Sequence, residues 1–402
     1  MLSHRQLFLA HVGQTSPLSL MLEVDRAEGM YIYDTDGKAY LDFNSGISVS
    51  SLGHCHPYIT KAIHEQVDRY MHTMVYGEHI QSPQIQFSTL LTRVLNNGLD
   101  TVYFANCGTE VVEIAMKLAK RYTRRYEIIS ATNAYHGSTA GAEALRSDHE
   151  FTRAFAPNLP GIQHIRFNHF EDLHKITTKT AAVIMEPVQA EAGVVPPEQD
   201  YLKAVEARCK EVRALFILDE IQTGFGRTGY LFAHQKYGVV PDVLLLAKSM
   251  GGGMPVGACV SRQEILSAFT KKPSLGHITT FGGHPVCVAA AHAMLTYIST
   301  ESLVCHVQEK EAYLRRHLVH PIIKEVRSSG LMMAVELTKR KYLKHVVAKA
   351  FELGLLIDYF LFNDRCFRMA PPLIIEQAEM DKGIGILLEA MDFASNQYRK
   401  LE

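Results

Sequence analysis

The chain has no long apolar run, no internal repeat, no low-complexity tract and no block of like charge. A membrane-spanning helix needs about 20 consecutive apolar residues, so none is expected. Charge of one sign is also lacking: 41 basic and 42 acidic residues leave a formal net charge of −1. Nucleic acid or an anionic lipid surface is therefore not an expected partner, and a small-molecule ligand is. The seven cysteines (Cys55, Cys107, Cys209, Cys259, Cys287, Cys305, Cys366) never form a C-x-x-C pair. Odd in number and scattered, they argue for reduced thiols and against a disulfide frame or a zinc knuckle. The N-terminal stretch MLSHRQLFLAHVGQTSPLSL lacks a small-residue cleavage site behind an apolar core. No signal peptide is expected, and the cytoplasm is the expected compartment. What is present is a 402-residue chain, 47% hydrophobic, long enough to divide its core between two domains.

From about residue 100, short apolar runs alternate with helix-period segments: TVYFAN, EVVEIAMKLAKRYTRR, YEIISAT, AAVIMEPV, YLKAVEARCKEV, ALFILDE and DVLLLAKS. Nearly continuous apolar strands separated by helices read as a parallel sheet covered on both faces, an α/β fold. In the first segment, Asp36-Gly37 lies between two alternating aromatic runs, GMYIYDT and KAYLDF, which is a hairpin signal. The last hundred residues carry another αβ pattern ending in CFRMAPPLII and a helix. The expected division is 1–54 as an N-terminal segment joining a smaller α+β domain, 55–300 as the large ligand-binding domain, and 301–402 as the C-terminal part of the small one.

Gly224, Gly226 and Gly229 in ILDEIQTGFGRTG have the G-x-G-x-x-G spacing of a dinucleotide loop. That loop needs its first glycine at the strand end and its last in the opening turn of a helix. Here the strand ends at Asp219-Glu220, residues intervene before Gly224, and no helical stripe follows directly. The acid expected about twenty residues on would be Asp242, which stands at the start of its strand instead of the end. The glycines are better explained by a different constellation at the carboxyl ends of successive strands, where open parallel sheets bind ligands. Asp219 ends ALFILD, Lys248 ends DVLLLAK, Glu186 ends AAVIME, and CGTE opens a helix whose Gly108 and Thr109 N–H groups suit a phosphate. One carboxylate, one lysine and one phosphate cradle fit pyridoxal phosphate. A lysine can condense with the cofactor aldehyde, an acid facing the pyridine nitrogen keeps it protonated, and the freed lysine can shuttle a proton.

With these residues the chain resembles the class III (ω-amino acid, ornithine and acetylornithine-like) pyridoxal-phosphate aminotransferases over nearly its whole length. The order of motifs carries the resemblance: YLDFNSGISVSSLGHCHP, NCGTE, YHGST, EPVQAEAGV, LDEIQTGFGRTG, AKSMGGGMPVGA, TTFGGHP and FRMAPPL. The resemblance implies a fold-type-I homodimer with active sites at the subunit interface, and an amino donor and a 2-oxo acid acceptor as substrates. It implies that Lys248 carries the cofactor, Asp219 meets the ring nitrogen, Gln222 the phenolic oxygen, and Tyr135 and Ile221 the two ring faces. His136 and Glu186 join the cofactor-binding set. Gly108 and Thr109 would bind the phosphate with Thr280 of the neighbouring subunit. Glu191 and Arg368 resemble a carboxylate switch, in which the arginine receives the substrate α-carboxylate and the glutamate neutralises it otherwise. GFGRTG then shapes the loop behind the Asp219 strand and binds no dinucleotide.

The chain also departs from the family pattern. Cys107 replaces the serine before G-T-E, Val112 replaces an asparagine, and Ser138 replaces the arginine that binds a second substrate carboxylate in the ornithine, acetylornithine and γ-aminobutyrate enzymes. Arg146 is the candidate substitute, on proximity in sequence alone. Plainer readings stand beside the functional ones: Glu220 as a structural acid, Tyr135 as core, His136 as a satisfied loop histidine, Glu191–Arg368 as a structural ion pair. His54-Cys55-His56 looks metal-like, yet three groups this close do not easily converge on one ion, and no metal is expected. The expected function is amino transfer from an ω-amine or amino acid to 2-oxoglutarate or pyruvate in a ping-pong cycle. An aminomutase or racemase on the same scaffold is the alternative, and a non-catalytic binding module the third reading.

Overall fold

The computed structural model describes residues 2–17 and 19–399. Asp36-Gly37 makes the turn its composition suggests. Strands β1 (Val24–Glu28), β2 (Tyr31–Asp34) and β3 (Ala39–Asp42) form an antiparallel meander in which Tyr31 faces Leu41 and Tyr33 faces Ala39. Gly37 sits at a φ of 81°, where a side chain would strain the backbone.

The central sheet has seven strands: β4 (Thr101–Ala105), β5 (Glu127–Ala131), β6 (Ile162–Ile165), β7 (Thr180–Met185), β8 (Leu215–Asp219), β9 (Val243–Leu246) and β10 (Gly257–Ser261). Their order is β4-β10-β9-β8-β7-β5-β6. Pairings from β9 to β6 are parallel, while β10 runs antiparallel to both β9 and β4. The sheet is thus mostly parallel, as expected, with one reversed strand. Two strands, β6 and β10, carry too little apolar or β-branched sequence to be legible alone: IQHI is half polar, and GACVS begins with glycine and ends with serine. Pairing with distant strands makes them.

Successive residues of the central strands alternate between two cores. Val183, Met185, Phe216, Leu218, Leu244 and Leu246 point to one side, and Ala182, Ile184, Leu215, Ile217, Val243 and Leu245 to the other. Helix α1 (Gly108–Thr123) covers the second side with Val111, Ile114, Ala115 and Leu118. Helices α2 (Tyr201–Val212) and α3 (Pro285–Thr300) belong to the first, and α3 is buried on nearly all faces. Burying each such aliphatic side chain stabilises the fold by about 1.5–3 kcal/mol. Truncating Ile217 to alanine, at the middle of the sheet, would cost about 2–5 kcal/mol.

The C-terminal strands β11 (Ile323–Ser329), β12 (Met332–Leu337), β13 (Leu355–Leu356), β14 (Asp358–Tyr359) and β15 (Cys366–Met369) divide between two sheets. Four of them pair in the order β11-β12-β15-β14, while β13 joins the N-terminal meander in parallel with β3, Leu355 beside Leu41. The chain ends meet again where Ala370 N donates to Phe43 O at 2.6 Å and Leu373 N to Ser51 O at 2.8 Å. No helix among the described residues is long and apolar enough to cross a membrane.

Candidate active site

The carboxyl ends of β7, β8 and β9 and the amino end of α1 open onto one cavity of about 500 Å³. Gly108, Thr109, Tyr135, His136, Glu186, Asp219, Ile221, Gln222 and Lys248 all line it. Residues from five separate stretches therefore converge because each lies at a strand end, in the loop just after one, or at a helix start, on the same edge of the sheet.

Asp219, the last residue of β8, is 4% exposed. One carboxylate oxygen takes a 2.6 Å hydrogen bond from His136 Nδ1 and the other accepts from Ile221 N at 3.0 Å. Burial works against a charge on His136, but the hydrogen bond and charge of Asp219, aided by Glu186, outweigh it and raise its pKa. His136 therefore braces Asp219 through Nδ1, and its Nε2 is left without a partner. Glu186 is pushed up to about 7, first by burial and then by the nearby Asp219 charge, against the pull of His136. Its oxygens accept from Tyr135 N (3.3 Å) and Ala190 N (3.0 Å), so it fixes the loop that carries Tyr135.

Lys248 opens onto the cavity, with its amine deep in the protein. Burial draws its pKa down to about 8; Glu191 opposes that shift and Arg368 adds to it. An amine so tuned is available as a neutral nucleophile and base near neutral pH. Lys248 also holds a left-handed backbone, with a φ of 49°.

Helix α1 begins at Gly108 without a side-chain cap, because the Cys107 thiol makes no hydrogen bond to the first turn. Glu110 reaches back to Asn106 N at 2.8 Å, and the Gly108 and Thr109 N–H groups remain turned to the cavity end of the helix. Thr109 Oγ1 lies 2.8 Å from Thr139 Oγ1, with Gly137 packed against it; a Cβ there would stand 2.3 Å from Thr109 Oγ1. Val112, in place of the family's asparagine, is simply buried in the core behind this turn.

Glu191 and Arg368 come together although far apart in sequence: Arg368 Nη2 donates to Glu191 Oε1 at 2.5 Å, both nearly fully buried. Phe360 lies 4.6 Å from the guanidinium carbon, and Nε and Nη1 have no partner. Two of its three nitrogens are thus without a partner, as a carboxylate ligand would require, although neither Arg368 nor Glu191 is among the residues that line the cavity. Arg146 is different. It is held by Asp148 (3.0 Å) and Glu143 (3.4 Å) and stacked among Tyr135, Phe151 and Phe362. Its charge is already balanced, so it is not available to replace the arginine missing at 138. Ser138 itself faces the cavity and lies 3.2 Å from the Tyr135 hydroxyl. Thr280 is exposed and lines no part of this chain's cavity.

Residues 13–391 match the family model described as aminotransferase class-III. The chain belongs to the class-III aminotransferases. This aminotransferase is 40% identical over 385 residues to the acetylornithine aminotransferase of Methanocaldococcus jannaschii, covering 93% of each chain. Its structure resembles that of the ornithine aminotransferase from Toxoplasma gondii, with a TM-score of 0.90, 29% identity, and coverage of 98% of this chain and 97% of the other. A second structure of the Toxoplasma protein, crystallized with oxidized glutathione, has pyridoxal phosphate at partial occupancy in its active site; it is 28% identical with a TM-score of 0.90 and coverage of 99% and 96%. The aminotransferase therefore has the fold-type-I architecture, and its cofactor is pyridoxal 5'-phosphate.

The cavity suits that cofactor on its own terms. It combines a pKa-lowered lysine, a braced carboxylate, an uncapped helix start and a buried Gln222 Oε1 with no protein partner. Some parts of the aminotransferase site were not legible in sequence. Val49 lines the cavity from the N-terminal segment. Glu113 accepts from Thr139 Oγ1 (2.6 Å), Gly141 N (2.8 Å) and Ala142 N (3.1 Å), holding the turn beside Thr109. Only its position on the face of α1 near Glu110 could have hinted at this. Glu220 has the structural place the sequence suggested: it accepts from Ala233 N, His234 N and His234 Nδ1 and ties the glycine loop to the next helix. In that loop Gly226 and Gly229 hold φ values of 86° and 81°, and Asp242 accepts from Phe216 N at the opposite end of the sheet. His54 pairs with Asp42 at 2.8 Å, and His56 packs on Tyr297.

Proposed function

We propose that this aminotransferase moves an amino group from an ω-amine or amino acid donor, of the ornithine or acetylornithine kind or another ω-amino donor, to 2-oxoglutarate or pyruvate. The cycle is ping-pong: both substrates use one site in turn. The observation that carries this reading is the half-open guanidinium of Arg368 beside Glu191 and Lys248. An arginine that can be neutralised by its own glutamate or by a substrate carboxylate suits two alternating substrates of different charge. An aminomutase or racemase has no need for that alternation and is not favoured.

Lys248 would hold the cofactor through Nζ, with Asp219 at the ring nitrogen, Gln222 at the phenolic oxygen, and Tyr135 and Ile221 on the ring faces. The first-turn N–H groups at Gly108 and Thr109 would receive the phosphate, with Thr280 supplied by a second copy in a homodimer. His136 keeps Asp219 oriented, and Glu186 holds the Tyr135 loop. Pyridoxal phosphate, when bound, supplies a sink for the electron pair left when the donor carbon loses its proton. Lys248 Nζ takes that proton and returns it to the neighbouring carbon. Arg368 orients the acceptor by its carboxylate. With Arg146 neutralised and Ser138 uncharged, the described residues lining the cavity offer, beyond Lys248 and the Asp219-bonded His136, no cation for a second carboxylate on the donor.

We further read the chain as cytoplasmic, with 1–54 and 301–402 forming the smaller domain against 55–300. A panel of amino donors mixed with the yellow holoenzyme tests the reading: a competent donor bleaches the cofactor band, and added 2-oxoglutarate or pyruvate restores it. No bleaching with any amine, or bleaching that neither keto acid reverses, would reject it.

A further inference from the structure

The GFGRTG loop holds one residue that the site described above leaves unexplained. Arg227 is fully buried. Its Nη1 donates to the main-chain oxygens of Leu331 and Pro371, and its Nη2 to Ser51 Oγ at 2.9 Å, so its partners are neutral oxygens from both ends of the chain. Ser51 Oγ lies 2.6 Å from Ser249 Oγ, and Ser249 Oγ donates to Ser48 O at 2.6 Å. The direction of this chain of bonds is fixed by chemistry. A guanidinium only donates, and the Ser249 proton is committed to a carbonyl, so Ser51 must donate to Ser249. The donors run Arg227, Ser51, Ser249, with the Ser48 carbonyl as the final acceptor, and such aligned chains strengthen each bond in them.

The Ser249 and Ser48 links of this chain of bonds meet strained backbone beside the cavity. Ser249 follows Lys248, whose φ is 49°. Ser48 closes a turn in which Ser45, Gly46, Ile47 and Ser48 all lie in the left-handed region, at φ values of 53°, 59°, 63° and 63°, and the next residue, Val49, lines the cavity. L-residues hold that conformation only where surrounding contacts enforce it, and such strain collects at functional sites. Further pins on the turn are Asp42 Oδ1, which accepts from Asn44 N and Ser45 N, and Ser45 Oγ, which donates to Ala370 O at 2.6 Å. Burying a guanidinium among neutral partners is costly: its pKa falls to about 9 through burial, opposed only by the charge of Asp42.

We propose that Arg227 is a positioning residue for the reaction: as a donor-only anchor it sets the Ser51–Ser249 relay that holds Lys248 in its left-handed backbone and ties both chain ends to the lysine. This rests on reading Lys248 as the cofactor's lysine. The charged and titratable groups that act on Lys248 are Glu191, Arg368, Asp219 and Glu186, and none of them belongs to the relay. A change in the lysine's titration on breaking the relay therefore reports its tether.

The test uses holoenzyme carrying Ser51→Ala, Ser249→Ala, both together, or Ser51→Thr. Borohydride reduction and peptide mapping of the unmodified enzyme first establish that the label lies on residue 248; a label elsewhere fails the underlying reading and not the relay. The pH midpoint of the cofactor absorbance change is then measured. A slack lysine reaches water, which favours the protonated nitrogen, so each alanine variant moves the midpoint up by about one pH unit. The turnover number falls by about 10-fold while the donor KM stays within about 2-fold, because a tether acts on the reacting amine and leaves binding in place. The double variant shifts no further than either single one, since one break interrupts the relay. Ser51→Thr keeps the hydroxyl and restores the unmodified midpoint. An unmoved midpoint with a lowered Tm would make the relay mere packing, and additive shifts or a Ser51→Thr variant matching Ser51→Ala would also overturn the proposal.

Discussion

The rim of the central sheet and the seam where the two chain ends meet are built on opposite terms. At the rim, Asp219, Glu186 and Lys248 each stand at or just beyond a strand end, and their positions follow from the strand and the sense of the sheet. At the seam, Arg227, Ser51, Ser249, Glu191 and Arg368 bond to partners 176 to 198 residues away and are defined only by whom they meet. On the proposed reading, the rim supplies the reactive groups and the seam sets their electrostatics and geometry. Removing a rim group should abolish a chemical step with the fold intact, whereas altering the seam should change what binds or how the lysine titrates.

The largest effect is expected at the rim. On the proposed reading, Lys248→Ala removes both the attachment point and the proton carrier. Turnover should fall by on the order of 10⁴-fold or more, since acid–base catalysis alone is commonly worth about 10²–10⁴. Borohydride should no longer attach the cofactor to the peptide containing residue 248. Because the substitution removes a largely desolvated amine, Tm of the protein without cofactor should not drop. A variant that keeps substantial turnover would remove the lysine from the chemistry.

At the seam, Arg368→Lys sharpens the contrast. A lysine keeps the charge but loses the planar fork, so the acceptor carboxylate loses a bidentate partner. Hydrogen bonds to charged groups are worth about 1.5–3 kcal/mol, which predicts a rise in the 2-oxo acid KM of about 10–100-fold. Half-reactions with simple amines that carry no carboxylate should change little. Equal losses for amines and acids would mean that the arginine only supports the fold.

What could be read in advance follows the same division. The hairpin at Asp36-Gly37, the strands β7, β8 and β9, and the lysine and acid at their ends were legible because local pattern and strand direction determine them. Strand β10 was not, since GACVS has weak strand preference and becomes a strand by lying between β4 and β9. Arg146 is a candidate substitute for the arginine missing at 138 on sequence proximity alone; packing beside Glu143 and Asp148 shows it balanced. Arg227 appeared only as the arginine inside a glycine loop, and its partners Leu331, Pro371 and Ser51 lie too far along the chain for any local signal.

A smaller effect should appear in the pH dependence of stability. Burial raises the Glu186 carboxyl from 4.5 to about 7, so between those values the folded protein binds more protons than the unfolded chain. This contribution is present below pH 4.5 and is lost as pH rises to about 7, where the folded protein must carry a buried charge. Glu186→Gln removes the titrating group. Its stability relative to the unmodified protein should improve steadily from pH 5 to about 7 and level off above, as followed by urea unfolding across that range. A constant difference at every pH would mean that Glu186 is already ionised throughout.

The smallest change is expected at Cys107, on the rim but outside the chemistry. It occupies the N-cap of α1 with an extended backbone and no side-chain hydrogen bond to the first turn. A serine there would be the same shape with a stronger acceptor, and such caps add about 0.5–2 kcal/mol when they form. Cys107→Ser should therefore raise unfolding stability by up to about 1 kcal/mol. The hydroxyl would, however, draw on the same first-turn N–H groups that face the cavity, so the two demands compete when phosphate is bound. The gain should be visible in the protein without cofactor and shrink toward zero with it, while turnover stays within about 2-fold. Urea unfolding of both forms decides the matter: an equal gain in each would show that the helix start and the phosphate site do not share donors, and would leave Gly108 and Thr109 without the role given to them.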